Sequence, residues 1–440
     1  DCFYCPNEPG QPRSYLSNEP AVARANQNSF DAFDQFNSRV GLLETNGHNV
    51  DKIEIIVLGG TWSAYPRSYQ ELFIQKLYYA ANIFKTCRRD MESLGFEQKM
   101  NETARYKIIG VSLETRPDHV NSWEIKRFRK LGCTRVQIGV QHIDNTILNY
   151  VNRGHGVEHS IKAIKMLREN GFKVDVHVMP DLPGSDPEKD KIMMKTVLTS
   201  PDFSPDYMKI YPCLDVKFTK IREWKQSGKW KPYAEEQNCQ LLYDVIIYAK
   251  RFTPRWVRFN RIQRDFCVEG ENRIGYASNT IKSNFRQIVQ RKAAEVNVFC
   301  KCIRCKEIKN KSFSKESVSF RFIRYKAASG YEFFIYARTP EDYLVGFIRV
   351  RINSKHNIPV FKSLINCALI RELHVYGLVN VVSETNDTSP QHYGIGKRLL
   401  KYAEMVAMFH ACPKIAVISG VGVRTYYKKQ GYVFDKDGEY

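Results

Sequence analysis

Two groups of cysteines stand where thiolates can act together. Cys2-x-x-Cys5 opens the chain, Cys300-x-Cys302-x-x-Cys305 lies far downstream, and the other seven of the twelve cysteines are scattered. A Cys-x-x-Cys pair serves zinc, a dithiol redox couple or an iron–sulfur cluster, and the pair alone does not choose between them. Three thiols within six residues, as in the second group, point to a structural zinc whose fourth ligand the sequence does not reveal. The chain is long at 440 residues and its cysteines lack the density of a small secreted scaffold, so they read as ligands and buried small side chains rather than disulfides.

Glycines mark two further places where backbone is laid bare to a ligand. Gly59-Gly60-Thr61 closes the first strand-like run, where small residues let a ligand approach the chain. Gln391-His392-Tyr393-Gly394-Ile395-Gly396 precedes a helical stretch that begins at Lys397. A helix opened this way offers unpaired N–H groups and the positive end of its dipole to a pyrophosphate. Basic side chains supply a third chemistry. Lys250–Arg264 carries Arg251, Arg255, Arg258, Arg261 and Arg264 beside Phe252, Trp256 and Phe259, with no carboxylate. Cations that face phosphates beside rings that stack on bases suit a nucleic acid. Lys217, Lys220, Arg222, Lys225, Lys229 and Lys231 form a second patch, and the whole chain carries a net charge of +20. That surplus favours a polyanionic partner, nucleic acid before membrane. No apolar run reaches the length of a membrane span, no secretory signal pattern opens the chain, and a cytoplasmic enzyme is expected.

The elements that must hold these groups follow from hydrophobic periodicity. Strand-like runs at Ile53–Leu58, Ile108–Leu113, Arg135–Val140, Val174–Met179, Met208–Tyr211 and Trp256–Phe259 alternate with helical patterns at Glu71–Met91, Ser122–Leu131, Ser160–Asn170 and Gln240–Arg251. Repeated βα units imply a parallel sheet with helices outside it, closed partly or fully into a barrel whose chemistry sits at the strands' C-terminal ends. Residues 266–330 break the rhythm and read as a connector that holds the second cysteine group. From residue 331 onward, strands at Tyr331–Ala337, Leu344–Arg351 and Cys367–Val375 precede a helix at Gly394–Phe409 and a strand at Lys414–Ser419. A short helix at Val423–Gln430 and a last strand at Tyr432–Phe434 complete an α+β unit over residues 331–440. The barrel unit is assigned to residues 1–265.

A cysteine ligand set ahead of a βα barrel, with Gly-Gly after the first strand, resembles the layout of radical-SAM enzymes. The agreement extends to whole strings: Cys2–Pro6, Glu19-Pro20-Ala21, Gly47–Lys52, Glu114–Asp118, Gly132–Arg135, Ile138–Gln141, Asn152–His155 and Met179–Pro183. These resemble, in order and spacing, the Elongator catalytic-subunit family. The strand Arg371–Gly377, the Gln-x-x-Gly-x-Gly loop, its helix and the late Tyr426-Tyr427 resemble the acetyl-CoA site of GNAT acetyltransferases, again as that family has it.

The resemblance implies a fold: an α/β radical-SAM (β/α)6-type partial barrel followed by an α+β GNAT domain. It implies a 4Fe–4S cluster held by Cys2, Cys5 and a third cysteine upstream of them, so the sequence, which has no initiator Met, is read as starting inside a longer protein. S-adenosylmethionine would bind the cluster near Gly59, Gly60 and Thr61. Acetyl-CoA would lie along Glu372, Leu373, His374 and Val375 and against Gln391, Gly394, Ile395, Gly396 and Lys397. Tyr427 would sit beside the thioester, where a phenol can bond the carbonyl or protonate the leaving thiolate, and Lys52 would reach the acetyl donor from the barrel. The implied reaction takes a hydrogen atom from the acetyl methyl group, adds the carbon to C5 of the wobble uridine of tRNA and cleaves the thioester to leave a carboxymethyl group. Zinc on Cys300, Cys302 and Cys305 matches bacterial and archaeal members. Elongator-like accessory subunits or a second copy are the further partners to expect. Two other readings stand: a protein-lysine acetyltransferase with a scaffold barrel, and a non-catalytic tRNA-binding subunit. Asp215–Thr219 departs from the family's usual Arg-Gly-Thr type sequence and leaves a substrate loop open to question.

Overall fold

A computed structural model describes residues 2–264, 284–309, 311–376, 394–435 and 440. Short β-branched runs, each followed by an amphipathic helix, build its first sheet. Strands β1 (Lys52–Ile56), β2 (Lys107–Thr115), β3 (Cys133–Gln141), β4 (Lys173–Val178), β5 (Tyr207–Ile210) and β6 (Arg258–Arg261) lie in sequence order. Every neighbouring pair is parallel. Parallel neighbours require crossovers, and helices Arg67–Ile83, Ser122–Lys130, Val157–Glu169, Pro187–Thr199 and Gln240–Phe252 supply them. Their starts are written in the sequence: Asn121 accepts from the Glu124 N–H, and Asp186 accepts from the N–H groups of Glu188 and Lys189.

Side chains alternate across a strand, and here the alternation sorts apolar from polar. Val136, Ile138 and Val140 of β3 and Val174, Val176 and Val178 of β4 are fully buried in one core with Ile125, Phe128, Ile164 and Leu167 of the helices. The intervening residues, among them Arg135, Gln137, Lys173, Asp175 and Lys209, face the concave side and line a cavity there. The result is an open half-barrel with a packed outside and a polar lumen.

The second sheet has strand order β11-β10-β9-β8-β7. Its members are β7 (Ser319–Ala327), β8 (Gly330–Arg338), β9 (Leu344–Ile352), β10 (Cys367–Val375) and β11 (Lys414–Val417). All pairs are antiparallel except β10 with β11. Helix Ile395–Phe409 lays Ile395, Leu399, Leu400, Ala403 and Ala407 on Ile335, Ile348, Val350 and Ile370, a 3.6-residue stripe on a sheet face.

Three elements depart from the sequence reading. The pattern over Glu71–Met91 is helical only to Ile83, because Lys85 takes a left-handed φ of 55° and the chain turns away. Strand β7 lies within the stretch read as connector; it is an edge strand with Arg321, Arg324 and Lys326 along it, which masks its apolar alternation. Tyr432–Phe434 forms no strand, and Tyr432 instead donates to Glu404 at 3.1 Å and packs on Tyr427.

The two sheets are locked together at two seams. At the first, a Cβ on Gly420 would lie 2.0 Å from the Ile109 carbonyl oxygen, so only glycine lets this loop meet the backbone of β2. The second is a buried charge cluster. Asp206, just before β5, faces Arg371 of β10 at 3.0 Å, with Arg168 and Arg349 each at 3.5 Å. Glu332 of β8 meets Arg168 at 3.0 Å, Arg371 at 3.1 Å and Arg351 at 3.3 Å. All six side chains are at most 1 % exposed.

Candidate active site

The cysteine pair sits at the C-terminal ends of the strands. A turn closes it, with the Cys5 N–H on the Cys2 carbonyl at 3.1 Å, and the Phe3 N–H bonds Val151. Arg153 reaches in from Asn152-Arg153-Gly154-His155: one nitrogen is 3.4 Å from Cys2 Sγ and another donates to the Gly139 carbonyl at 2.6 Å. A Cβ on Gly139 would come within 2.7 Å of that guanidinium, which gives the glycine of Ile138-Gly139-Val140-Gln141 its reason. The hydrogen bond from Cys5, helped by Arg153, brings the Cys2 thiol down to about 4, against its burial, while Cys5 is pushed up. Two cysteines on one turn beside an arginine form a donor set suited to an anionic iron–sulfur cluster. Around it, Gln141 Oε1, Arg153 Nε, His155 Nε2 and His177 Nε2 are buried with no hydrogen-bond partner among the described residues. Buried polar atoms left open in this way mark a place built for a polar ligand, and S-adenosylmethionine fits that requirement. Gly59, Gly60 and Thr61 follow β1 on the same end of the sheet, with Gly60 at a φ of 69°.

A single cavity of about 1600 Å³ runs from Tyr15 and Gly59 through the lumen to the second sheet. Its far end holds Lys52, Glu372, Leu373, His374, Val375, Gly394, Gly396, Lys397, Tyr426 and Tyr427. Gln391 lies outside the described residues, and Ile395 points into the core of the second sheet instead. Strand β11 pairs only with Cys367–Ile370 of β10. Among the described residues, Glu372–Val375 therefore has a strand neighbour on the β9 side alone. Helix Ile395–Phe409 begins beside that opening, after Gly394 at a φ of 69°. Glu372 is fixed by Arg349 at 2.8 Å and by the Tyr207 hydroxyl from β5. Tyr207 also lines the lumen, so a carboxylate of one sheet is oriented by a phenol of the other. Burial raises the Tyr427 phenol, which favours its protonated form as a donor.

The five arginines of the 250–264 segment do not form one surface. Arg251 is exposed and Arg261 reaches the cavity. Arg255 pairs with Asp342 at 2.7 Å, Arg258 with Glu307 at 2.6 Å and Arg264 with Glu19 at 2.7 Å. In the second patch Lys220 meets Glu223 at 2.7 Å and Lys225 meets Asp215 at 3.4 Å. The Sγ atoms of Cys300, Cys302 and Cys305 lie within 4.8 Å of one another at the end of β6, where the Ile303 N–H bonds the Val257 carbonyl. Their closeness forces the thiols apart in acidity, with Cys305 lowered and Cys300 raised. Stoichiometric zinc is expected by atomic emission, with Cys302→Ser abolishing it and lowering the melting temperature; equal zinc in that variant would reject the site.

The lumen residues were not singled out from the sequence, although a signal was present. Parallel strands covered on both faces read as continuous apolar runs, yet Lys173-Val-Asp-Val-His-Val and Tyr207-Met-Lys-Ile alternate strictly. Alternation there announces an interior that holds something polar.

Two family models match: the Radical SAM superfamily over residues 1–196 and the Radical_SAM C-terminal domain over 205–295. With its six-stranded half-barrel, the chain belongs to the radical SAM superfamily. It is 39 % identical to a protein of Methanocaldococcus jannaschii named tRNA uridine(34) acetyltransferase, over 98 % of this chain and 79 % of that one. A Dehalococcoides mccartyi protein of the same name is 36 % identical over 98 % and 92 %, and Elongator complex protein 3 of Schizosaccharomyces pombe is 34 % identical over 99 % and 79 %. The solved structure of archaeal Methanocaldococcus infernus Elp3 with residues 1–46 deleted superposes with a TM-score of 0.82 at 37 % identity, covering 94 % of this chain and 95 % of that one. Within the superfamily, the chain belongs to the family of these tRNA uridine(34) acetyltransferases and Elongator complex protein 3.

Proposed function

We propose that the protein modifies the wobble uridine of tRNA, transferring a carboxymethyl group from acetyl-CoA to C5. The observation that carries this reading is the continuous cavity, which runs from Tyr15 and Gly59, close in the fold to the turn that holds the cysteine pair, to Glu372–Val375 of β10. Bound at Cys2 and Cys5 with S-adenosylmethionine, a 4Fe–4S cluster supplies the one-electron chemistry that an unactivated methyl C–H bond demands. Overall, the uridine C5–H gives way to a C5–CH2 bond and water cleaves the thioester. The two electrons released are consumed in splitting S-adenosylmethionine to 5′-deoxyadenosine and methionine.

The remaining roles belong to this chain's own side chains. Residues 331–440, joined by β7, act as a GNAT acetyltransferase domain after a barrel of residues 1–265 and a zinc-stapled connector of 266–330. The edge at Glu372–Val375, without a strand neighbour on the β11 side among the described residues, takes the amide-rich pantetheine arm as a further strand would be taken. The start of the helix at Gly394–Lys397 takes the pyrophosphate. Tyr427 donates to the thioester oxygen or its leaving sulfur, and Lys52 holds the acetyl donor at the lumen mouth. Arg251, Arg261, Lys217 and Arg222 contact tRNA phosphates, and loss of each is expected to weaken binding without regard to sequence.

The test is nucleoside mass spectrometry of tRNA incubated anaerobically with the protein, reductant, S-adenosylmethionine and acetyl-CoA. A carboxymethylated wobble uridine that needs both small molecules is the expected outcome. Acetyl transfer to lysine without S-adenosylmethionine would instead establish a protein acetyltransferase. Tight tRNA binding with both small molecules untouched would leave a non-catalytic subunit.

A further inference from the structure

Three carboxylates line the cavity, and two of them are answered by cations. Glu54 faces Arg135 at 2.9 Å, and Glu372 is held by Arg349 and Tyr207. Asp175, on β4 in mid-lumen, differs. Its Oδ2 accepts from Asn260 Nδ2 at 2.7 Å, while its Oδ1 is buried without a partner among the described residues, although the residue lines the cavity. The side chain is 1 % exposed. An acceptor so enclosed is costly to leave unmet, and its natural complement is a donor that arrives with a ligand. Asn260 fixes the carboxylate plane from β6, so the free oxygen has one direction to face. On the adjacent strand β5, the Lys209 ammonium bonds Gln137 Oε1 and also lines the cavity. In register Asp175 stands opposite Tyr207 and Lys209 opposite His177, so the acceptor and the cationic donor are diagonal neighbours on adjacent strands, close enough for each charge to act on the other.

We propose that Asp175, positioned by Asn260 and assisted by Lys209, reads the Watson–Crick edge of the substrate base and makes the lumen selective for uridine. This rests on the uridine-modifying reading above. Uracil presents an N3–H donor flanked by two carbonyl acceptors. Asp175 Oδ1 accepts from N3–H and Lys209 donates to an adjacent carbonyl. Cytosine presents a bare N3 lone pair at that point, which would face a carboxylate with no proton between them. N3-methyluridine places a methyl group there. Both leave the buried oxygen unpaired, and sites built on such bonds reject analogues that lack the donor.

The experiment measures dissociation constants of anticodon stem-loop RNAs that differ only in uridine, cytidine or N3-methyluridine at the wobble position. Wild-type protein is expected to prefer the uridine loop by about tenfold or more. Asp175→Asn, nearly isosteric, keeps its oxygen on Asn260 and turns its amide N–H toward the base, so it is expected to lose the uridine preference and to bind the cytidine loop at least as well as the uridine loop, with its melting temperature unchanged. Equal wild-type affinity for uridine and N3-methyluridine loops would overturn the proposal without involving any variant. So would an Asp175→Asn protein that keeps the wild-type preference. A wild-type protein that prefers uridine loops yet modifies no tRNA would refute the catalytic reading and leave this one standing. Modification of uridine tRNA that Asp175→Asn and N3-methylation leave untouched would do the reverse.

Discussion

Replacing Asp206 with alanine is expected to cost about 3–5 kcal/mol of stability, because it strands arginines in a place that water does not reach. Burial alone would raise the Asp206 carboxyl, but Arg168, Arg371 and Arg349 overcome that effect and hold it well below the usual carboxylate range. A carboxyl whose folded value is depressed contributes stability that is present above its unfolded value near 4 and lost as pH falls below it. Acid should therefore open the seam between the sheets in the wild type, and Asp206→Ala should flatten that part of the pH profile. Scanning fluorimetry between about pH 3 and 7 reads both effects. The variant should also bind acetyl-CoA poorly, since Arg349, which orients Glu372, loses its anchor. By contrast, Asp206→Leu combined with Arg371→Met removes both charges and should be far milder than either alone. A single variant that melts within about 1 kcal/mol of wild type would show that the cluster is not what joins the sheets.

Cys2→Ala is expected to abolish formation of the modified nucleoside and cleavage of S-adenosylmethionine, while tRNA and acetyl-CoA affinities stay as they were. The reason is geometric. Cys2 is 7 % exposed and sits against Arg153 at the C-terminal ends of the barrel strands, outside the lining of the cavity that holds Glu372 and Tyr427. Its thiol supports no packing that the far end relies on. Iron content and anaerobic absorbance before and after the substitution separate loss of the cluster from loss of fold. Unimpaired modification by the alanine variant would remove this pair from the chemistry and return attention to the other cysteine group.

Much of this arrangement could be read from residue order. All six barrel strands fall within two or three residues of their expected ends, because β-branched runs bounded by capped helices leave little choice. Cys367–Val375 coincides with β10 throughout. Gly139 sits in a string that the sequence marked and Gly420 directly follows the strand expected at Lys414–Ser419, but what they make room for, a guanidinium and a carbonyl of β2, is set by tertiary contact. The arginines of the 250–264 segment show the limit of reading charge along a chain. Their partners Asp342, Glu307 and Glu19 come from distant parts of the sequence, so a run without carboxylates still ended largely paired. Tyr207 and Asp206 carried no motif at all; they matter because β5 lies beneath β9 and β10.

The sorting of side chains across the first sheet has a consequence for how such a protein changes over time. Val136, Ile138, Val174 and Val176, on the outer face, secure the fold, and trimming any of them removes packed methyl groups at about 1 kcal/mol or more apiece. Gln137 and Asp175, one residue away on the same strands, and Lys209 on β5 fill no apolar core. Substitutions there can alter which molecule the lumen admits while drawing little on a total stability of about 5–15 kcal/mol. Adjacent positions in one strand thus answer to separate selective pressures, and the half-barrel is free to acquire new substrates without first becoming a more stable protein.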